Sequence, residues 1–216
     1  MSLKSNSPGK YSYLYRAESW HQHKRIVHLV GAGKKVLDVG CASGYLAGRF
    51  KRNGCFVVGI EVDPEAAEEA KGNCDVVING DVEQLAQSTF VGESFDVIVY
   101  ADILEHLRHP EVVLRLQRRW LSRKGFVIVS LPNVAFIGIR LRLLLGQFYY
   151  TDVGILDRTH LRFYTLKTAR ALLSGSGYYI TKIETVGRLG SLWPFCVFPS
   201  FCAEGFVFQA TPINIS

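Results

Sequence analysis

The sequence predicts a doubly wound α/β fold around a mostly parallel β-sheet. Three observations carry this expectation. Short apolar runs alternate with helical patterns for about 100 residues, from Lys35 to Asn133. The runs lack the apolar–polar alternation of half-buried strands, as expected where both faces of a strand are covered. The segments between them have helical spacing, and helical crossovers join parallel neighbours.

The elements follow in order. Residues 11–30 read as a helix, with Trp20, Val27 and Val30 among its apolar positions, interrupted by Gly31 and Gly33. "KVLDVG" is a first buried strand, and "YLAGRFKRNG" is a helix with Leu46 and Phe50 on one side, ending at Gly54. "CFVVGIEV" is the second strand. Asp63 is the N-cap of the next helix, with Pro64 at its first position and carboxylates in its first turn. "DVVING" and "SFDVIVYA" are strands three and four. "PEVVLRLQRRWL" is a helix opened by Pro110, and "GFVIVSLPN" is strand five. Residues 137–164 are rich in Arg, Leu and aromatics without a clear period. "TLKTARALLSGSG" is the last long helix. "YYITKIETV" and "EGFVFQAT" follow as two strands with partial alternation, which suggests an antiparallel edge on the sheet.

A length of 216 residues, with 48% apolar and 20% charged residues, suits one soluble domain with a full core. No linker marks a second domain. Mean hydropathy is slightly positive, +0.13. The most apolar late stretch, Ser191 to Ala210, is broken by Pro194 and Pro199 and holds Glu204, so it does not read as a membrane span. The polar start, "MSLKSNSPGK", lacks the apolar core of a signal peptide. Five cysteines form no CxxC pair, which favours neither a disulfide framework nor a zinc site. Cys196 and Cys202 are the candidate pair if any bridge forms. Reduced thiols and a cytoplasmic location are expected. The charge of +6 is uneven: residues 1–96 hold 11 Lys+Arg against 12 Asp+Glu, and residues 97–216 hold 14 against 7. The basic half is either a solvated surface or a face for an anionic partner. No nucleic-acid-binding motif is present.

In such sheets ligands sit beyond the carboxyl ends of the strands, at the switch point. Asp38 and the turn Gly40, Cys41, Ala42, Ser43, Gly44 lie there. The glycine spacing fits neither the dinucleotide fingerprint nor a phosphate loop. Glu61, at the tip of strand two, can accept from both hydroxyls of a ribose. Asp81, at the tip of strand three, can accept from an adenine amino group, and Val62 and Val82 can flank a purine.

The combination "VLDVGCASG … GIEVD … GDVE … FDVIVYADILEHL … GFVIVSLPN" resembles the class I S-adenosylmethionine-dependent methyltransferases, across Lys35 to Asn133. The resemblance implies a seven-stranded sheet with a reversed final strand and S-adenosyl-L-methionine as cofactor. It also implies that Asp38 and the Gly40–Gly44 loop hold the methionine part. Glu61 then binds the ribose, Asp81 and Val82 face the adenine, and the backbone of Ala101 approaches the methionine moiety. The family usually has glycine where Ala42 stands. Alanine costs little there if its φ is negative, and cofactor binding is expected to be kept. The cofactor-binding part spans about residues 31–135, with lid and substrate elements at about 1–30 and 137–165.

"ADILEHLRHP" follows strand four. Asp102, Glu105 and His106 are spaced to meet on one helical turn. His106 is a general base, or the trio holds a divalent cation, or His106 merely shapes the rim. The stretch resembles the "EHV" region of ubiquinone-pathway O-methyltransferases, and "LDRTHLRFYT" resembles their "TH…F" segment and that of bacterial glycan and cell-envelope methyltransferases. His160 there faces the acceptor, with Arg158 and Arg162 holding an anionic group on it. The competing reading makes Thr165 a helix cap and Phe163 core, leaving His160 structural. Thr168 stands where a capping box favours Glu or Gln. "IGIRLRLLLGQFYY" is expected to wall the substrate pocket in preference to touching a membrane, and Tyr15 and Arg16 to close over the cofactor. The resulting expectation is methyl transfer to a small-molecule acceptor, at oxygen, with the acceptor anionic or partly apolar. The alternatives are an adenosyl-cofactor-binding protein without turnover and a nicotinamide-dependent oxidoreductase.

Overall fold

The computed structural model describes residues 20–85, 87–90, 92–187 and 198–213. Tyr15, Arg16, Cys196 and the start of the expected first helix lie outside the described residues. The chain runs α1 (Trp20–Val30), β1 (Lys35–Val39), α2 (Tyr45–Arg52), β2 (Phe56–Glu61), α3 (Pro64–Ala70), β3 (Val76–Asn79), β4 (Phe95–Ala101), α4 (Pro110–Gln117), β5 (Leu121–Pro132), α5 (Ile137–Leu144), α6 (Leu166–Gly175), β6 (Tyr178–Val186), α7 (Pro199–Cys202) and β7 (Gly205–Pro212). The strands form one sheet in the order β3-β2-β1-β4-β5-β7-β6. β1 pairs in parallel with both β2 and β4, so the switch point lies at its carboxyl end, between the two.

The last two strands form the expected antiparallel edge, with the reversed final strand one place in from it. β7 runs antiparallel to both β5 and β6, and β6 takes the edge. Side-chain character explains the order. Phe206, Val207 and Phe208 are buried in succession, which requires cover on both faces. β6 alternates exposed residues such as Tyr179 and Lys182 with covered ones, which suits an edge. One difference concerns β5, which begins at Leu121 because the preceding helix stops at Gln117 and closes in one tight turn.

Each face of the sheet carries its own core. On one, α4 and α6 bring Val113, Leu114, Ala169 and Leu173 onto Ile98, Tyr100 and Phe208. On the other, α1 and α2 bring Ile26, Val30, Leu46 and Phe50 onto Val36, Val57 and Val97. Buried hydroxyls find partners: Tyr100 Oη donates to Gln117 Oε1 at 2.8 Å, and Tyr178 Oη to the Leu114 carbonyl at 2.9 Å. The caps behave largely as expected. Asp63 accepts from the N–H groups of Glu65 and Ala66. Thr165 and Thr168 do form a capping box, the Thr168 hydroxyl replacing the usual carboxylate by accepting from Thr165 N at 2.8 Å. Cys41, Cys55, Cys74 and Cys202 are free thiols and buried. Among the described residues no helix is long and apolar enough to cross a membrane.

β2 needs glycine at position 59. A Cβ there would stand 2.6 Å from Cys41 Sγ and 3.0 Å from Cys74 Sγ. Gly59→Ala is therefore expected to lower stability by about 1–3 kcal/mol through overpacking. Urea denaturation checks this, and an unchanged midpoint would contradict the packing.

Candidate active site

Four strand tips bring the expected cofactor residues into one row: Asp38 on β1, Glu61 on β2, Asp81 just past β3 and Ala101 on β4. The β1–α2 loop is built from left-handed backbone. Gly40 has φ 71° and Gly44 φ 76°, and Ala42 between them has φ 47°. The negative φ under which alanine would cost little is thus not met at Ala42. The conformation costs an L-residue about 1–2 kcal/mol. It is held because Ala42 N–H donates to Glu61 Oε2 at 2.9 Å, a bond to a charged acceptor worth about 1.5–3 kcal/mol. Glu61 Oε1 accepts from Asp63 N, also at 2.9 Å. Gly40 N and Cys41 N donate to the Ile60 carbonyl at 2.8 and 3.0 Å. Asn73 Nδ2 donates to the Ser43 carbonyl at 3.1 Å. Glycine at 40 is also a packing need, since a Cβ would come 2.8 Å from the Ile103 side chain. The Cys41 thiol packs against Gly59 and donates to the Ala42 carbonyl within the loop at 3.7 Å.

Asp38 is buried, and its Oδ2 has no hydrogen-bond partner among the described residues. Burial, reinforced by the charge of Glu61, lifts its carboxyl to about 7. Asp81 takes the N–H of Glu83 on Oδ1 and the amide of Gln84 on Oδ2. Val62 is 64% exposed, and Val82 packs partly against the larger core.

The second half of the site lies beyond β4. Asp102 has φ 51°, a conformation that aspartate tolerates better than most residues. Ser130, beside it on β5, accepts from Asp102 N at 3.0 Å and donates to Asp102 Oδ1 at 2.9 Å. Gln22 of α1 donates to Asp102 Oδ2 at 2.5 Å. Burial raises the Asp102 carboxyl, opposed by these two hydrogen bonds and by His106. So engaged, Asp102 does not join Glu105 and His106 as the spacing suggested. Leu104–His106 forms a tight 3₁₀ turn instead, and the third member of the cluster is His160. One potential ligand atom from each of Glu105, His106 and His160 lies within 4.8 Å of the others.

Local bonds define this cluster. The Glu105 carbonyl accepts from Leu161 N and Arg162 N at 2.9 and 3.0 Å, pinning the segment that carries His160. The Glu105 side chain is 1% exposed, and neither carboxylate oxygen has a hydrogen-bond partner among the described residues. Burial and then Asp102 push its carboxyl well above the usual range. His160 Nε2 is 3.9 Å from Glu105 Oε1. His160 Nδ1 lies 3.2 Å from the Ile155 carbonyl, so that nitrogen carries the hydrogen and Nε2 keeps a lone pair in the neutral ring. Burial and then His106 lower its pKa. His106 Nδ1 faces the carbonyl and hydroxyl of Thr159, each at 3.2 Å. The Thr159 hydroxyl donates to Asp157 at 2.7 Å, so His106 Nδ1 is the donor and its Nε2 is the basic nitrogen. The two rings meet edge to face at 4.8 Å.

A pocket of about 190 Å³ opens over the cluster. Asp102, Glu105, Asp157 and Glu204 line it together with both histidines. Arg158 and Arg162 do not line it. Arg158 pairs with Asp152 at 2.8 Å, and Arg162 donates to the Arg108 carbonyl and lies 3.9 Å from Glu111. The expected anion clamp is therefore not formed. Phe163 is not core either: it stacks near His160, Phe148 and Tyr150, while Tyr164 is buried in its place. The expected pocket wall is also displaced. Val153, Gly154 and Ile155 form it, and residues 140–150 are exposed.

Because the folded state favours neutral Asp38, its contribution to stability is full below about pH 4 and is lost as pH rises toward 7. Relative to Asp38→Asn, the wild-type chain without ligand is expected to lose roughly 1.4 kcal/mol per pH unit across that window. Urea denaturation at pH 5, 6 and 7 measures the difference, and parallel profiles for the two proteins would contradict it.

The methyltransferase domain family model matches residues 15–183. A mitochondrial ubiquinone biosynthesis O-methyltransferase of Schizosaccharomyces pombe is 26% identical over 189 residues, covering 77% of this chain and 69% of the relative. A ubiquinone biosynthesis O-methyltransferase of Actinobacillus pleuropneumoniae is 34% identical over 111 residues, 47% of each chain, so this chain's match spans about half the length of that relative. Magnesium protoporphyrin IX methyltransferase of Synechocystis, solved with bound S-adenosylhomocysteine, superposes with a TM-score of 0.63 at 16% identity, covering 88% of this chain and 81% of that one. At that identity the likeness concerns the fold. With the family matched across most of its length, this chain belongs to the methyltransferase domain family, as a class I enzyme using S-adenosylmethionine.

Proposed function

We propose that the protein transfers the sulfonium methyl group of S-adenosylmethionine to a hydroxyl oxygen of a small molecule held in the pocket above Glu105, His106 and His160. The observation that carries this reading is the pair of imidazoles, each with Nδ1 hydrogen-bonded to a backbone carbonyl and Nε2 left basic, beside the tip of β4.

The strand-tip row supports one orientation of the cofactor. Asp38 receives the α-ammonium of the methionine part, which supplies the partner that its buried Oδ2 lacks. Glu61 keeps a second lone pair on each oxygen for the ribose hydroxyls. Asp81 accepts from the adenine amino group, with Val62 and Val82 along the ring. The methyl group then points past Ala101 toward the pocket. The acceptor oxygen attacks in line, its proton passes to His106 or His160 Nε2, and neutral S-adenosylhomocysteine leaves. Most of the rate comes from holding the two reactants aligned, and the imidazole adds about 10²–10⁴-fold.

Four carboxyl groups in the pocket support a neutral acceptor over an anionic one. They also support a cation as helper. Glu105 has two unpartnered oxygens next to two imidazole nitrogens, a donor set suited to a divalent metal. Bound there, such an ion would polarise the acceptor oxygen.

Glu61→Ala is expected to weaken S-adenosylhomocysteine binding by about 1–3 kcal/mol, roughly 5- to 150-fold, in calorimetric titration. Unchanged affinity would refute its ribose role. His106→Ala and His160→Ala should keep that affinity. Against a panel of phenols and polyols, the variant lacking the base should lose about 10²–10⁴-fold in release of S-adenosylhomocysteine. If neither variant is slowed, the base assignment fails. If the wild-type chain binds the cofactor but turns over no acceptor, the binding-only alternative gains. Loss of turnover in a chelator, restored by a divalent cation, would identify the metal-assisted form.

A further inference from the structure

Residues 140–150 are eleven consecutive exposed residues. Seven are large and apolar or aromatic: Leu141, Leu143, Leu144, Leu145, Phe148, Tyr149 and Tyr150. Leu144 is 82% exposed and Leu145 72%. Only Ile139 anchors α5 in the protein interior, so these leucines add little to folding. Contiguous exposed apolar surface of this kind marks an interaction site.

We infer that this segment docks the protein on an anionic phospholipid surface. Three features favour lipid over a protein groove or a second copy of the chain. At about 100° per residue, Leu141, Leu143, Leu144 and Leu145 spread over an arc of about 200° at the end of α5. That is about twice the width of the stripe, roughly 100°, that a helix lays against one partner face, and a fluid apolar phase covers all of it. Tyrosines 149 and 150 follow, and tyrosine favours the boundary between headgroups and acyl chains. From Val134 to Thr151 there is no Asp or Glu, while Arg140 and Arg142 supply positive charge for anionic headgroups.

The segment also leads to the pocket. Phe148 lies 6.1 Å and Tyr150 6.5 Å from Phe163, which lies 6.1 Å from His160. Docking therefore brings the pocket mouth to the lipid surface, where an acceptor with an apolar tail enters without crossing water. That consequence rests on the methyl-transfer reading; the docking itself does not.

The test is co-sedimentation of the full chain with vesicles of phosphatidylcholine and phosphatidylglycerol, and with phosphatidylcholine alone. The wild type should sediment with the anionic vesicles and less with the neutral ones. The double variant Leu144→Asp, Leu145→Asp should partition at least about tenfold more weakly, since two charges replace inserted apolar side chains. Its melting temperature and S-adenosylhomocysteine affinity should stay at wild-type values, which separates docking from folding and from the cofactor site. Wild type that stays in the supernatant overturns the inference. So does a variant that sediments like the wild type, or one whose only change is loss of a dimer in size-exclusion chromatography.

Discussion

Glu61 is the tie on which the cofactor edge of the sheet depends. Its two oxygens reach from the tip of β2 to Ala42 on one side and Asp63 on the other. The first bond holds the β1–α2 loop in a left-handed conformation that alanine resists, and the two energies decide the outcome. One charge-assisted hydrogen bond is worth as much as the strain it opposes or more, so the loop keeps its shape without glycine at position 42. The second bond sets the entry into α3, where Asp63 then caps the helix. The shape of the loop, the start of the helix and the free lone pairs at the strand tip thus follow from one side chain.

Beyond that edge the site stores unmet charge. Asp38 and Glu105 are buried carboxyl groups with oxygens that nothing among the described residues satisfies, and both are shifted toward the neutral form. Buried groups of this kind destabilise a fold unless a ligand completes them. At Asp38 the missing partner is cationic, which suits an amino acid ammonium. At Glu105 it stands among basic imidazole nitrogens, which suits a proton in transit or a cation. Asp102 shows the contrast. It occupies strained backbone but is fully engaged, by Ser130 across the sheet and by Gln22 from α1. It is a brace between the two halves of the site.

The parallel strands were legible because burial on both faces leaves continuous apolar runs, and the strand-tip carboxylates because each ends such a run. What was not legible depended on distant partners. Ser130 and Gln22 give no local sign of meeting Asp102, being 28 and 80 residues away in sequence. His160 joins His106 only because the Glu105 carbonyl pins Leu161 and Arg162. The place of β7 inside the sheet is decided by Phe206 to Phe208 competing with β6 for cover, a comparison between strands that neither run shows alone. The backbone of Ala42 could be read only with Glu61 in place, and residues 140–150 read as pocket wall because apolar character in a sequence does not say whether protein or another phase will cover it.

The central claim is that Asp38 waits neutral in the sheet for the cationic end of the cofactor. Calorimetric titration with S-adenosylhomocysteine at pH 7, repeated in buffers of different ionisation enthalpy, measures it directly. Binding should drive Asp38 into its charged form and release about half a proton, because its carboxyl titrates near that pH. The apparent enthalpy should vary between buffers accordingly, and Asp38→Asn should remove the variation. Tight binding with the same enthalpy in every buffer, or no binding at all, would contradict the account.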